Sequence, residues 1–381
     1  MIYYAQSKIQ KNTYMADHGP RIQVTIASHG YGHLSQAAAL VRELIKQIPD
    51  SIFRIQCNLP RNIIAERLGT NHFEHDPRSM EIGMIQKTAI THDLDASYQA
   101  YKTFHENFSK HISREAKKLK DWQPDLLISD IAYLPIAAAS KIGVPSVALA
   151  SLTWDHIIAN YFDLNEAAPA KWFADAHAAY GEATLALLPT PAMNGECFKN
   201  KLDIPPVVIL GQKQSEFRSS LGINASDNRP LIFCSLGGIA GAELPLSCIK
   251  KQTDFHWLIN SPNLADTENI HHLDSCSMWQ YKDIIASVDA VIGKPGYGMA
   301  IEAAAHGLPF VFFRRGHFPD EPFIIDWLHN NARIKEISNK DWSTGAFIDP
   351  LIELFNSPAP KAPLCNGAEV GALAIKNLLS L

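Results

Sequence analysis

A glycine-rich loop and the helix after it carry residue types that bind phosphates and hydroxyl groups. The segment KPGYG holds Lys294, Gly296 and Gly298 and leads into the helix-forming run MAIEAAAH. Free backbone N–H groups and the positive end of the helix dipole attract anions at such a helix start, and the lysine adds a positive charge. Glu302, inside the same helix, can accept hydrogen bonds from vicinal hydroxyls such as those of a ribose. Together these residues predict a nucleotide-binding site.

The sequence around this loop predicts the strand, helix and second strand that would position it. The run SVDAVIG is apolar and ends at Gly293, the helix stops at Gly307, and LPFVFF is apolar again. In a parallel sheet, such a unit places the helix start at the carboxyl edge of the strands, where ligands bind. The glycine spacing matches neither GxGxxG nor a Walker P-loop, so the sequence predicts neither motif.

A similar glycine turn lies earlier in the chain, where the strand candidate PLIFCS runs into Gly237 and Gly238. Two such turns at equivalent places favour ligand binding over two structural turns without a ligand. Trp279 and Tyr281, just before the KPGYG loop, could stack on a nucleotide base. Packing in the core is the competing interpretation for both aromatic residues.

Two histidines follow the first predicted strand, IQVTIAS, in the turn HGYGH. His33 lies at the start of a helix, where the positive end of the dipole should lower its pKa and keep the imidazole neutral. A neutral imidazole can act as a general base for an acceptor hydroxyl. The chain has 16 histidines, so a structural role is the competing interpretation for His33 and still more for His29.

Strand and helix patterns alternate along the chain, which is typical of a doubly wound α/β fold. With 381 residues the chain can form two domains, each with its own core. A proline-rich segment that ends in VVILGQ indicates a linker between them. The predicted organisation is a flexible extension over 1–20, domains over 21–212 and 220–365, and a final helix over 366–381.

The composition is that of an ordinary globular protein and disfavours several classes of partner. A net charge of -5 and a pI near 6.3 disfavour binding to nucleic acid or to an anionic membrane. No apolar run reaches about 18 residues and no secretion signal stands at the start, which predicts a cytoplasmic protein without a membrane span. The six cysteines form no CxxC pair, so we expect reduced thiols and no zinc site. The sequence leaves open whether the protein forms a homodimer.

The region GKPGYGMAIEAAAHGLPFVFFRRGHFPDEPF resembles the C-terminal half of GT-B nucleotide-sugar glycosyltransferases. It is more similar still to the glycosyltransferase-like N-terminal region of plant L-arabinokinases, in which a GK-x-GYG-x-x-x-E run is followed by an RR-x-x-F-x-x-EPF run. The kinase half of those proteins has no counterpart in this sequence. The resemblance implies the GT-B fold, in which two Rossmann-like doubly wound domains face each other across a cleft.

The resemblance also implies which residues bind the donor. In GT-B enzymes a small-residue loop and a helical glutamate hold the diphosphate and ribose, and an acidic or amide pair one element later holds the sugar. Asp320 and Glu321 lie near that pair, although acidic residues there would equally suit the start of a helix. The expected donor-binding residues are Gly237, Gly238, Trp279, Tyr281, Lys294, Gly296, Tyr297, Gly298, Glu302, Arg315, Asp320 and Glu321.

On the acceptor side, GHLSQAAALVREL resembles the Gly-His turn and first helix of GT-B enzymes. His33 falls where several inverting members have their histidine, and Asp130, at the end of PDLLISD, matches the aspartate that orients it in plant-type members. An aspartate that binds one ring nitrogen of the histidine while the other ring nitrogen faces the acceptor substrate would form a catalytic dyad with that histidine. An N-cap role is the alternative for Asp130. His29, Trp154 and Asp155 are expected on the acceptor side.

The resulting hypothesis is a glycosyltransferase that moves a hexosyl or pentosyl group from a nucleotide sugar to an unknown acceptor hydroxyl, with inversion. In the family that the sequence resembles, the nucleotide of the donor is usually uridine diphosphate. The sequence has no DxD motif, so helix dipoles and cations, including Lys294 and Arg315, would stabilise the diphosphate without a metal or another cofactor.

Other donors and other activities stay open. Common sugar-transferring members have a histidine and later Asn-Ser in the donor loop, whereas this chain has Lys294, Gly298 and Met299, so guanosine and thymidine donors are not excluded. One alternative is a UDP-sugar 2-epimerase-like enzyme, which the lack of an evident carboxylate cluster in the first half disfavours. The other is a non-catalytic nucleotide-sugar-binding protein.

Overall fold

The structure is a computed structural model that describes residues 19–27, 31–88, 91–236, 244–260, 267–316 and 318–380. It contains two parallel β-sheets, each covered by apolar cores on its two faces. The predicted doubly wound α/β class is therefore confirmed. The predicted extension over 1–20 lies outside the described residues except for Gly19 and Pro20.

The first sheet has the order β3-β2-β1-β4-β5-β6-β7 within the described part of the chain. Its strands are β1 (Arg21–Ile26), β2 (Ile52–Gln56), β3 (Glu74–Asp76), β4 (Leu126–Asp130), β5 (Ser146–Leu149), β6 (Leu185–Pro189) and β7 (Lys201–Ile204). The strand order reverses between β1 and β4, where Ile26 pairs with Asp130 at the carboxyl ends of the two strands. Such a reversal opens a crevice in which ligands bind.

Helices connect these strands and bury apolar faces against the sheet. They are α1 (Tyr31–Gln47), α2 (Arg61–Leu68), α3 (Leu94–Glu106), α4 (Phe108–Trp122), α5 (Tyr133–Lys141), α6 (Trp154–Tyr161) and α7 (Ala167–Tyr180). In α1, Leu34, Ala38 and Val41 are buried, as their spacing of three and four residues predicts. This helix begins directly beyond the carboxyl edge of β1.

The second sheet has the order β10-β9-β8-β11-β12-β13. Its strands are β8 (Leu231–Ser235), β9 (His256–Ile259), β10 (Ile270–His272), β11 (Ala290–Gly293), β12 (Phe310–Phe312) and β13 (Ile334–Glu336). Here the order reverses between β8 and β11, whose carboxyl ends pair through Ser235 and Gly293. A Cβ on Gly293 would lie 2.0 Å from the carbonyl oxygen of Ser235, so only glycine allows this approach.

The helices of the second half surround this sheet, and the last one leaves it. They are α8 (Phe217–Ser220), α9 (Leu246–Ile249), α10 (Tyr281–Ser287), α11 (Tyr297–His306), α12 (Glu321–Asn331), α13 (Asn339–Thr344), α14 (Ile348–Phe355) and α15 (Gly367–Leu378). The predicted strand, helix and strand around the KPGYG loop are β11, α11 and β12. Helix α11 ends at Gly307, which has a φ of 65°, a left-handed conformation that favours glycine.

Two connections join the halves, which we call the first and second domains after their sheets. The segment 205–216 leads from β7 to α8. Helix α15 returns to the first domain, where Ala372 and Ile375 are part of the core that also contains Leu40 of α1. A Cβ on Gly367 would lie 1.9 Å from the carbonyl oxygen of Pro205, so the start of α15 fits tightly against the linker. In the described part of the chain, no helix is both long enough and apolar enough to span a bilayer.

Candidate active site

A cleft of about 430 Å³ lies between the carboxyl edges of the two sheets. Its first-domain wall is formed by α1, the end of α2 and the loop after β5. Its second-domain wall is formed by the end of β8, the start of α10, α11 and the loop before α12. Both reversals of strand order therefore open into the same cleft, and the volume is within the usual range for small-molecule sites.

The start of α11 faces the cleft without obstruction. Gly296 precedes the helix, and neither it nor Gly298 would bring an added Cβ within 4 Å of another atom. The backbone N–H groups of this first turn are thus accessible to an anion. Lys294 also lines the cleft. Burial and the charge of Arg315 lower the pKa of Lys294 to about 8, although Asp320 and Glu321 oppose this shift.

Glu302 lies on the same helix and also lines the cleft. Four residues separate it from Gly298, which corresponds to about 6 Å along the helix axis. No hydrogen bond or ion pair to its carboxylate is found within the described residues, and burial raises its pKa to about 8 while Arg67 opposes the rise. A partly buried carboxylate without a donor suits a ligand that brings hydroxyl groups.

Arg315, Asp320 and Glu321 form an ion cluster in the loop before α12 and at the start of that helix. Arg315 donates from Nε to Glu321 Oε1 at 2.9 Å and from Nη2 to Asp320 Oδ1 at 2.6 Å. Asp320 and Arg315 line the cleft, whereas Glu321 does not. Glu321 begins α12, as the competing interpretation predicted, and its Oε2 is buried without a hydrogen-bond partner among the described residues. Asp320 is thus the member that can reach a ligand.

His33 and Asp130 meet across the carboxyl ends of β1 and β4. His33 Nδ1 lies 3.2 Å from Asp130 Oδ1, and Asp130 Oδ2 accepts from the backbone N–H of Ala27 at 3.4 Å. Asp130 is completely buried, while His33 lines the cleft. A carboxylate on Nδ1–H leaves Nε2 as the nitrogen that can exchange a proton with a ligand.

The predicted protonation state of His33 is wrong. Burial alone would lower its pKa, but the charge and hydrogen bond of Asp130, with smaller contributions from Glu81 and Asp320, raise the pKa to about 9. The partial charge of a helix end is about half a unit, whereas Asp130 places a full charge in contact with the ring. The ligand-free protein therefore holds an imidazolium at neutral pH.

Two predicted acceptor-side residues differ in their placement. Trp154 lines the cleft, and its Nε1 donates to Glu81 Oε2 at 2.8 Å. Asp155 does not line the cleft, contrary to the expectation from sequence. It is buried, and its Oδ2 lies 2.8 Å from Nδ1 of the partly exposed His177. Neighbouring residues on a helix point about 100° apart, so only one of the two can face the ligand.

The aromatic donor-side candidates also separate. Tyr281 lines the cleft, whereas Trp279 does not. Trp279 Nε1 donates to Ser220 Oγ at 3.0 Å and its ring packs edge-on against Phe217, so core packing applies to Trp279. The hydroxyl of Tyr297 accepts from the N–H of Val207 at 3.0 Å and ties α11 to the linker. The predicted residues His29, Gly237 and Gly238 lie outside the described residues.

Arg67 and His92 are two of the cleft residues that the sequence did not predict. Arg67, at the end of α2, has its guanidinium carbon 5.4 Å from the centre of the Tyr281 ring. His92 stacks on Phe318 with 5.4 Å between the ring centres. Glu81, which does not line the cleft, adds a carboxylate near His33. None of the three belongs to a motif, and each comes from a different part of the first domain.

The sequence comparison supports the resemblance to L-arabinokinases. No known protein-family model matches the chain. An L-arabinokinase of Arabidopsis thaliana is 27% identical over 372 residues, which cover 91% of this chain and 33% of that protein. The chain thus spans about a third of the length of its relative. The resemblance predicted from the glycine loop and the RR-x-x-F-x-x-EPF run is confirmed.

Solved structures show which fold this is. The glycotransferase of kitacinnamycin superposes with a TM-score of 0.65 at 14% identity, covering 95% of this chain and 99% of that chain. This chain has the GT-B fold. Arabidopsis thaliana UGT89C1, solved in complex with UDP-L-rhamnose, has a TM-score of 0.56 at 12% identity and covers 95% of this chain and 94% of its own. In this GT-B chain, one domain carries the histidine and aspartate pair and the other carries the open helix start.

Proposed function

We propose that the protein is a metal-independent, inverting glycosyltransferase that uses a UDP-sugar donor and an acceptor hydroxyl. One observation carries the proposal: a single cleft brings the anion-binding start of α11 opposite the His33 and Asp130 pair of the other domain. The same fold in UGT89C1 with UDP-L-rhamnose supports a UDP-sugar as the donor. The cytoplasmic location stays a prediction, and whether the chain forms a homodimer stays open.

The second domain would bind the donor. The N–H groups at the start of α11 and the ammonium of Lys294 contact the diphosphate, and Glu302 accepts hydrogen bonds from the ribose. Asp320, held by Arg315, accepts hydrogen bonds from the sugar. Negative charge grows on the diphosphate as it leaves, and fixed dipoles and cations stabilise this charge without a metal.

The first domain would activate the acceptor. His33 Nε2 takes the hydroxyl proton while the acceptor oxygen forms a bond to the anomeric carbon, and the bond from that carbon to the diphosphate oxygen breaks. Asp130 stabilises the imidazolium that results. Direct displacement from the face opposite the leaving group inverts the anomeric centre. Because the pKa of His33 is raised to about 9, the histidine must first lose a proton to act as base.

One observation favours a second candidate, a UDP-sugar 2-epimerase-like enzyme. The sequence shows no carboxylate cluster in the first half, but the folded chain brings Asp130, Glu81 and Asp320 close enough to raise the pKa of His33. Carboxylates beside a bound sugar could move a proton at its ring carbons. This candidate needs no acceptor molecule, which separates it from transfer in a single assay.

The first test is the thermal unfolding midpoint of the protein with UDP, GDP, dTDP and UDP-sugars. A ligand that binds only the native state raises the midpoint by mass action, so UDP should raise it and uridine, which lacks the diphosphate, should raise it far less. The absence of a shift with every nucleotide would contradict both enzyme proposals.

The second test follows the sugar. A UDP-sugar identified by the first test is incubated with and without hydroxyl acceptors, and the products are separated by chromatography. Transfer predicts UDP release that depends on the acceptor, whereas epimerisation predicts a new UDP-sugar without any acceptor. Donor binding without either product, and unchanged in His33→Ala, would indicate a binding protein.

A further inference from the structure

Arg67 is a charged residue of the first domain that faces the donor wall of the second. It lies in the last turn of α2, where a cation is favoured by the helix dipole. Its guanidinium carbon lies 5.4 Å from the centre of the Tyr281 ring, and its charge opposes the rise of the Glu302 pKa. Arg67 therefore lies close to two residues of the other domain that line the same cleft.

The guanidinium of Arg67 has no ion pair or hydrogen bond among the described residues. Among the other arginines of the first domain, Arg61 donates to the carbonyls of Asn71 and Phe73, and Arg78 binds Glu115. Arg42, which also lines the cleft, has no such partner among the described residues either. The Arg67 guanidinium is half-buried, and none of its nitrogens is a buried atom without a partner, so a ligand acceptor can replace the water on its five donors.

A second polar group on the first-domain wall has the same property. Gln36 of α1 lines the cleft and is 4% exposed, and its Oε1 has no hydrogen-bond partner within the described part of the chain. Two separate elements of the first domain, α1 and α2, thus bring polar side chains without a hydrogen bond among the described residues to the cleft wall. A ligand that contacts both walls could bind them.

This inference rests on the proposed function. If that function is correct, the position of Arg67 relative to the bound donor can be worked out from the residues around it. The diphosphate lies at the start of α11, and the ribose lies near Glu302, about 6 Å further along the helix. Asp320 and His33 mark the sugar end of the cleft. Arg67 lies beside Tyr281 and Glu302, so it is next to the ribose of such a donor, where the base follows.

We propose that Arg67 is a specificity-determining residue for the donor base, contributed by the first domain. Its guanidinium donates hydrogen bonds to the keto oxygen at position 4 of uracil while the base lies against Tyr281. Arginine has only donors, so it pairs with a keto oxygen and not with the amino group that cytosine has at the same position. The donor site therefore includes both domains, and the base is read across the cleft.

UDP and CDP test this directly, because their bases differ only in the group at position 4 and in the proton on the adjacent N3. Dissociation constants are measured by titration calorimetry for the wild type and for Arg67→Ala and Arg67→Lys. We expect the wild type to bind UDP more tightly than CDP. Arg67→Ala should weaken UDP binding about 10- to 100-fold, as for other hydrogen bonds to charged groups, and should remove most of the difference between UDP and CDP.

Controls separate base recognition from general effects. Arg114, exposed on α4 and outside the cleft lining, provides a matched loss of charge in Arg114→Ala, which should bind UDP like the wild type. Arg67→Ala should change the unfolding midpoint of the ligand-free protein little, because the variant loses a ring contact to Tyr281 at 5.4 Å and the attraction to Glu302, and no hydrogen bond or ion pair among the described residues. Arg67→Lys keeps the charge but loses the planar donor set, so it should recover affinity without full discrimination.

Several results would overturn the proposal. Equal wild-type affinities for UDP and CDP, or an Arg67→Ala variant that keeps the wild-type ratio between them, would remove Arg67 from base recognition and leave the proposed glycosyl transfer intact. A wild-type protein that binds no nucleoside diphosphate would instead contradict the proposed function itself.

Discussion

The two walls of the cleft are built in different ways. The second-domain wall comes mainly from one stretch of chain, 294–321, in which a loop, a helix and a short ion cluster follow each other. The first-domain wall is assembled from His33, Arg67, His92 and Trp154, which lie on separate elements. If the proposed function is correct, the contiguous wall binds one rigid feature, the nucleoside diphosphate. The dispersed wall then positions the general base, His33, independently of the residue that reads the nucleobase, Arg67.

The walls also differ in how their charges are compensated. Arg315 of the second wall is neutralised by Asp320 and Glu321 before any ligand arrives, whereas Arg67 of the first wall has no such partner among the described residues. In the proposed complex, the second wall would therefore bind the donor with its charges already paired, whereas Arg67 of the first wall would find its partner in the ligand. Substitutions on the two walls should have different consequences.

The largest difference is expected for His33→Ala. Loss of a general base should lower the transfer rate about 10²- to 10⁴-fold, while the dissociation constant for UDP should change less than about twofold. Steady-state kinetics and calorimetry measure the two quantities separately. His72→Ala, which removes an exposed histidine of the same domain, is the control. A parallel loss of UDP affinity would mean that His33 belongs to the donor wall.

Arg315→Ala should act on stability, unlike Arg67→Ala. It leaves Asp320 and Glu321 buried without their cation, and breaking a buried pair in this way costs about 3–5 kcal/mol. Chemical denaturation of the two variants provides the comparison. An Arg315→Ala protein as stable as the wild type would show that the ion cluster is solvated.

The pH dependence of the transfer rate tests the role of His33 in the first-domain wall. Because the pKa of His33 is raised to about 9, the neutral form that accepts a proton increases with pH and levels off above that value. If the bound donor leaves this pKa at about 9, the transfer rate at saturating donor should rise about 50-fold from pH 7 to pH 9. Asp130→Asn removes the charge that raises this pKa, so its profile should shift to lower pH. A flat profile would exclude His33 as the base.

The smallest effect concerns the phosphate contact of the second wall. Lys294→Ala should weaken UDP binding about tenfold and leave uridine binding unchanged, because only UDP carries the diphosphate. The pKa of Lys294 is lowered to about 8, so this advantage of UDP should be present below pH 8 and decline as the pH rises through it. Equal losses for UDP and uridine would place Lys294 away from the phosphates.

The same contrast explains what the sequence could predict. The strand, helix and strand around the KPGYG loop are determined by local sequence patterns, so the sequence predicts β11, α11 and β12 correctly. Gly296 and Glu302 line the same cleft, as these patterns predict. Asp130 was linked to His33 through resemblance alone. Their contact depends on β1 pairing with β4, two strands about a hundred residues apart in the chain.

The errors have physical causes of the same kind. The pKa of His33 depends on a buried carboxylate 3.2 Å away, which outweighs the local helix dipole. The placement of Asp155 and Trp279 depends on which way each side chain turns, and a pattern of apolar residues does not fix this for a single polar or aromatic residue. The sequence does not identify Arg67 as a cleft residue, because an arginine near the end of a helix is common on protein surfaces in general.

Helix α15 makes the order of synthesis important for this chain. Residues 367–378 complete the core of the first domain, yet they are translated after the whole of the second domain. On the ribosome, the nascent first domain must therefore expose the apolar surface of α1 that α15 later covers. A chaperone that shields this surface during translation should raise the yield of folded protein, and α15 supplied as a separate peptide should bind a chain that ends before residue 367.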